Sequence, residues 1–355
     1  MRRRESGKVR LHGSNSLQSK VAPIDCDLLH CYPYWFRRST SRRHAKVRNW
    51  SSENHHRHRH RWRHRRCLCG CISATKPRIQ NLGISTESGD TGDPTDTLLK
   101  ARLLSRLLKE TGRSDIPVAV GTEKHLPKER AFLSQALYAE GGPIGQSYPK
   151  AVDFLLEQIR LNPGEITLIA IGPETNIGEA IDRDATTFRK LKRVVIMGGS
   201  VYRGYNPIGH VVKNTPDPEY NLTVDVPAAQ KLFGSGVTLF VMPLDSTQIK
   251  LEELRRSQIF ATGTSLTSAL AVLTQQWSGD TIRTPTLFDA MAVAYALNPQ
   301  LCPVSPMRLR IDDNGNTKPE AGSPNAEVCL HSDSDPFFDF FMPRITGAVH
   351  RQSGP

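Results

Sequence analysis

ITLIAIGPETN (166–176) and RVVIMGGS (193–200), followed closely by PDPEYN (216–221), decide the fold of this 355-residue chain. The first two stretches are continuous apolar runs that break into glycine-rich turns. Such a run marks a strand buried on both faces, as in a parallel sheet. In open α/β sheets ligands bind just beyond the carboxyl ends of the strands, where glycine lets backbone approach them closely. Glu219 and Asn221 therefore stand where a polar small molecule can be gripped, and the segment reads as a pocket mouth.

Outward from this stretch, apolar runs alternate with helical patterns. NLGIST (81–86) reads as a buried strand ending at Ser88-Gly89-Asp90, and TLLKARLLSRLLKE (97–110) as an amphipathic helix with Leu99, Leu103 and Leu107 on one face. IPVAVG (116–121) is the next strand, and PKAVDFLLEQIRL (149–161) a helix stopped by Asn162-Pro163-Gly164. A helix over 176–191, another from Val226-Pro227 and the strand VTLFVMP (237–243) complete the alternation. The order predicts an α/β fold with a mostly parallel central sheet and helices on both faces. The last third reads as helical, with SLTSALAVLTQQW (265–277) and TLFDAMAVAYAL (286–297) apolar on most sides. Asp289 lies inside the second of these. A carboxylate among Leu287, Phe288, Ala290, Met291 and Val293 is costly unless capped, paired or bound to a cation, so it is either a satisfied structural group or a ligand for metal or substrate.

The charge is divided unevenly. Residues 1–80 hold 20 Lys/Arg against 4 Asp/Glu, whereas 81–355 hold 27 against 31, so the body is mildly acidic and calls for neither nucleic acid nor membrane. No apolar run approaches the roughly 20 residues that cross a bilayer. MRRRES lacks the apolar core of a secretory signal, and its Arg-rich character without an amphipathic pattern makes a poor organelle transit peptide. Cys302 and Cys329 are the body's only cysteines; they do not read as a disulfide framework, which favours a reducing, cytoplasmic location.

The expected domain boundary falls at 80/81, with a basic arm over 1–80 and the α/β domain over 81–347. The arm carries HHRHRHRWRHRR (55–66) and CLCGC (67–71). Three readings stand: a disordered tail, a phosphate-binding tract, or a metal site. The C-x-C-x-C spacing is not that of a zinc ribbon, and the arginines repel a cation. Within the arm, VAPIDCDLLH (21–30) sets Asp25 and Asp27 two apart; if 22–26 were a strand, both would share one face at its end, as a hard cation requires.

Taken together, LGIST…SGD, IPVAVG, GPETNIGEAI, VVIMGGSVYRGY, PDPEYNLTVDVPAAQKLF and TLFDAMAVAYALNP resemble, in order and spacing, the inosine/uridine-preferring nucleoside hydrolases, over about residues 81–345. The resemblance implies a Rossmann-like α/β domain that cleaves the N-glycosidic bond of ribonucleosides to ribose and free base. It also implies a Ca²⁺ that holds the ribose diol and the attacking water, an aspartate as general base, a nucleoside as partner and a homodimer or homotetramer. By position it assigns Asp25, Asp27, the Ile171 carbonyl and Asp289 to calcium, with Asp27 also the base. Asp90, Met197, Asn214, Glu219 and Asn221 fall on the ribose side of the pocket, with Lys213 an alternative to Asn214.

The chain also departs from the family. IDCD (24–27) opens like the motif D-x-D-P-G-x-D-D, but LLHCYPYWF then replaces its second half. So abrupt a change reads as a shifted frame or a mis-joined exon. Phe288 stands where many members carry a histidine proposed to protonate the leaving base, and no second such histidine is evident over 132–142. Two alternatives to an active hydrolase follow: an inactive homologue with an incomplete calcium site, and a nucleic-acid-binding protein acting through its arm.

Overall fold

The structure is a computed structural model that describes residues 34–38, 79–89, 96–123, 138–206, 213–278 and 284–347. In chain order the elements are β1 (Tyr34–Arg38), β2 (Ile79–Ser85), α1 (Asp96–Glu110), β3 (Val118–Ala119), α2 (Ala151–Leu161), β4 (Ile166–Ala170), α3 (Thr175–Phe188), β5 (Arg193–Met197), α4 (Tyr220–Val224), α5 (Val226–Gly234) and β6 (Leu239–Met242). There follow α6 (Leu244–Thr247), α7 (Glu253–Phe260), α8 (Ser265–Ser278), α9 (Phe288–Leu297), β7 (Ser305–Ile311), β8 (Thr317–Glu320), β9 (Ala326–Val328) and α10 (Ser334–Thr346).

The sheet runs β3-β2-β1-β4-β5-β6-β9-β7-β8. β4, β5, β6 and β9 pair in parallel, as do β2 and β3. The two apolar runs read as strands are β4 and β5, and their alternate residues serve opposite faces. Ile169, Val195 and Met197 join one core with α1, α9 and α10. Leu168, Val194 and Ile196 join another with α2, α3 and α5. This is the α/β architecture expected, with helices on both sides.

Three features differ from the sequence expectation. First, the sheet is mixed. β1, within the stretch read as an arm, lies between β2 and β4 and runs antiparallel to both. Tyr34 sits opposite Ile84 and Ile169, so the amino end of β1, not its carboxyl end, meets the carboxyl ends of its neighbours. Second, the C-terminal part is not only helical: β7, β8 and β9 extend the sheet. The alternation MRLRI followed by DDNGN carried that signal, since apolar/polar alternation before an Asn-Gly turn is a hairpin mark. Third, Cys302 and Cys329 are bonded, with Cα atoms 5.7 Å apart. The antiparallel pairing of Ser305 with Val328 brings the two cysteines together, which a separation of 27 in sequence does not reveal. The reading of Cys302 and Cys329 as two separate thiols is corrected by this bond.

Candidate active site

The carboxyl ends of β2, β4 and β5 converge on a buried polar floor. After β2, Thr86 Oγ1 donates to the Thr97 carbonyl (2.9 Å) and accepts from the Gly121 N–H (3.2 Å). Lys100 Nζ, buried on α1, donates to the carbonyls of Glu87 (3.0 Å) and Gly89 (2.8 Å). After β4, Asn176 of GPETN clamps the two strand ends together. Its Nδ2 donates to the Thr86 carbonyl (2.9 Å), its Oδ1 accepts from the Thr122 N–H (3.0 Å), and its own N–H reaches Glu87 Oε2 (3.4 Å). Asn176 is thus spent on holding the floor.

After β5 the chain turns at Gly199, whose φ of +89° lies in the left-handed region, and a Cβ there would sit 2.9 Å from Thr317 Oγ1. The turn aims the Gly199 N–H at Glu219 Oε2 (3.1 Å). Glu219 is the N-cap of α4, and its carboxylate also accepts the N–H groups of Asn221 (3.0 Å) and Leu222 (3.3 Å). Asn221 Nδ2 donates to the Met197 carbonyl (2.9 Å). Glu219, Asn221 and Met197 are therefore one locked, buried unit. Asp245 performs a related task, accepting the N–H groups of Val201, Tyr202 and Arg203 and shaping the loop that follows.

Of the remaining residues assigned from sequence, Ile171 is buried just after β4. Asp289 is buried in the first turn of α9, where the helix dipole favours an anion, and α9 packs on β4 and β5. Phe288 meets Tyr205 edge-on at 6.1 Å. Asn214 is exposed, and Lys213 pairs with Asp217. Asp25, Asp27 and Asp90 lie outside the described residues. Among the described residues no three His, Cys, Asp or Glu side chains form a group able to hold a metal ion. Asp289 and the Ile171 carbonyl alone fall short of the six to eight oxygens calcium takes.

Two acids were missed in the sequence. Glu87 and Glu174 are both buried, and each has its pKa raised well above the ordinary carboxylate value. Burial is the main cause for both, with Glu174 adding to it at Glu87, and Glu219 and Asp225 at Glu174. Each stands in the turn that follows a strand, Glu87 after β2 and Glu174 after β4.

The sequence profile described as inosine-uridine preferring nucleoside hydrolase matches residues 68–339. The chain belongs to that family. A pyrimidine-specific ribonucleoside hydrolase RihA of Citrobacter koseri is 27% identical over 305 residues, covering 77% of this chain and 92% of its own. Among solved structures, a purine-preferring ribonucleoside hydrolase from Gardnerella vaginalis superposes with a TM-score of 0.62 at 22% identity, covering 76% of this chain and 90% of its own. The plant nucleoside hydrolase PpNRh1 does so with a TM-score of 0.60 at 22% identity, over 70% and 86%. The likenesses to these two structures bear on the fold. Family membership points to ribonucleoside hydrolysis in general, and the polar floor occupies the strand ends where α/β folds bind ligands.

Proposed function

We propose that the chain binds a ribonucleoside at the carboxyl ends of β2, β4 and β5 and hydrolyses its N-glycosidic bond to ribose and free base. The observation that carries this reading is the locked unit of Glu219, Asn221 and Met197, in which Asn221 Oδ1 is a buried acceptor with no hydrogen-bond partner. A buried acceptor left unpaired costs about 1–3 kcal/mol, and a sugar hydroxyl would repay it. Cleavage builds positive charge at the anomeric carbon, which the surrounding carboxylates favour in a low-dielectric floor. The resemblance gives Asp27 the role of general base and assigns Ca²⁺ to Asp25, Asp27, Ile171 and Asp289. Bound there, the ion would hold the sugar diol and acidify a water. Of that set, the described residues supply Asp289 and the Ile171 carbonyl. Phe288 donates no proton, so protonation of the leaving base falls to another group.

One observation favours a second reading, a nucleoside-binding homologue without turnover: the antiparallel β1 brings its amino end to the floor. The full chain incubated with inosine and with uridine, with excess CaCl₂, separates the two. Free base and reducing sugar are the expected products. Binding of nucleoside by calorimetry without product would favour the second reading, and absence of both binding and product would sink both.

A further inference from the structure

Glu174 is the polar group of the floor that nothing above uses. It replaces no cap: it stands at the N-cap of α3 without a side-chain capping bond. Its side chain is fully buried, and neither Oε1 nor Oε2 has a hydrogen-bond partner. It lies close enough to Glu219 and Asp225 to feel their charge, and Thr175 Oγ1 donates to Asp225 Oδ2 (2.9 Å), tying the GPETN turn to the 219–225 segment. The same segment holds Asn221, whose Oδ1 is likewise buried and unpartnered. Three acceptor oxygens without donors therefore sit on the GPETN turn and on α4, which the Thr175–Asp225 bond ties together.

We infer that Glu174 is a further sugar-binding residue, its carboxylate accepting hydroxyl hydrogens of the ribose alongside Glu219 and Asn221. The inference rests on the ribonucleoside reading and extends it. A single shared proton would satisfy one of the three orphan oxygens. A cation would need a ligand set that the described residues do not form. A sugar brings several O–H donors, and a carboxylate presents two oxygens to adjacent hydroxyls. Burial does not argue against this, because Glu219 and Asn221 are equally buried.

The test uses the full chain, with Glu174→Leu and Glu174→Gln compared with wild type. Ribose affinity is measured by calorimetry, and kcat and KM for inosine and its 2′-, 3′- and 5′-deoxy analogues by base release. Glu174→Leu is expected to weaken ribose at least tenfold. It should also erase the penalty for deleting one particular hydroxyl while leaving the other penalties in place, with Glu174→Gln intermediate. A purely structural role would not move one hydroxyl selectively. If wild type binds ribose, Asn221→Ala weakens it and Glu174→Leu does not, the inference fails while the ribose reading stands. If wild type binds neither ribose nor inosine, the reading itself fails and the inference with it. If CaCl₂ alone raises the Tm of wild type but not of Glu174→Leu, and ribose affinity is unchanged, the occupant is a cation and the inference is overturned.

Discussion

At the scale of the residue, the floor joins groups that cost stability to groups that hold position. Glu87 and Glu174 have folded-state pKa values above the unfolded one, for which burial is the leading cause. A carboxyl group of this kind contributes its stability fully below the unfolded pKa of about 4.3 and loses it as pH rises through the folded value. Glu174→Leu removes that loss. Its Tm should exceed that of wild type at pH 8 by about 2 °C or more, with the gap closing toward pH 4; a thermal melt at both pH values checks this. Asn221→Ala deletes both the donor to Met197 and the orphan acceptor. It should weaken inosine binding by about 1–2 kcal/mol, roughly tenfold, in a calorimetric titration. Glu219 and Asn221 were legible in the sequence because polar residues after a strand–turn signature stand out. Glu87 and Glu174 were not, because a glutamate in a turn reads as solvated until its burial is known.

Among the elements, the turns and staples decide how rigid the floor is. The Gly199 turn delivers an N–H to Glu219, and any side chain there meets both a positive φ and the Thr317 hydroxyl. Gly199→Ala should cost about 1–3 kcal/mol of stability and weaken inosine binding as well, read by denaturant unfolding and by titration. The disulfide ties the chain leaving α9 to the end of β9 across a sequence separation of 27. Chain-entropy reasoning gives about 3–4 kcal/mol for a loop of this size. A reductant should therefore lower the Tm of wild type by roughly 6–12 °C, and leave Cys302→Ala/Cys329→Ala unaffected. Strands β4, β5 and β6 and helices α1, α2, α8 and α9 were all readable, since continuous apolar runs and helical spacing are local patterns. β7 to β9 were passed over because their short alternation was outweighed by the helices around them.

For the whole molecule, the central question is what occupies the slot between β2 and β4. The reading of 1–80 as an arm and 81–347 as an independent domain implies that the body folds alone. The pairing of β1 on both sides implies instead that removal of residues 1–78 leaves two unpaired strand edges in the middle of the sheet. The truncated chain should lose about 3 kcal/mol or more in net hydrogen bonding and melt roughly 6 °C or more below the full chain, with aggregation from the exposed edges. An unchanged melting curve would support the arm-and-domain division. No helix among the described residues is long and apolar enough to cross a membrane. The sequence by itself determined the α/β class and the strands β4, β5 and β6 at the centre of the sheet, because buried strands and the turns after them are written in contiguous residues. Only the tertiary structure decided the direction of β1, the Cys302–Cys329 bond and the unpartnered carboxylate of Glu174. Each depends on which distant segments become neighbours, and no local pattern carries that.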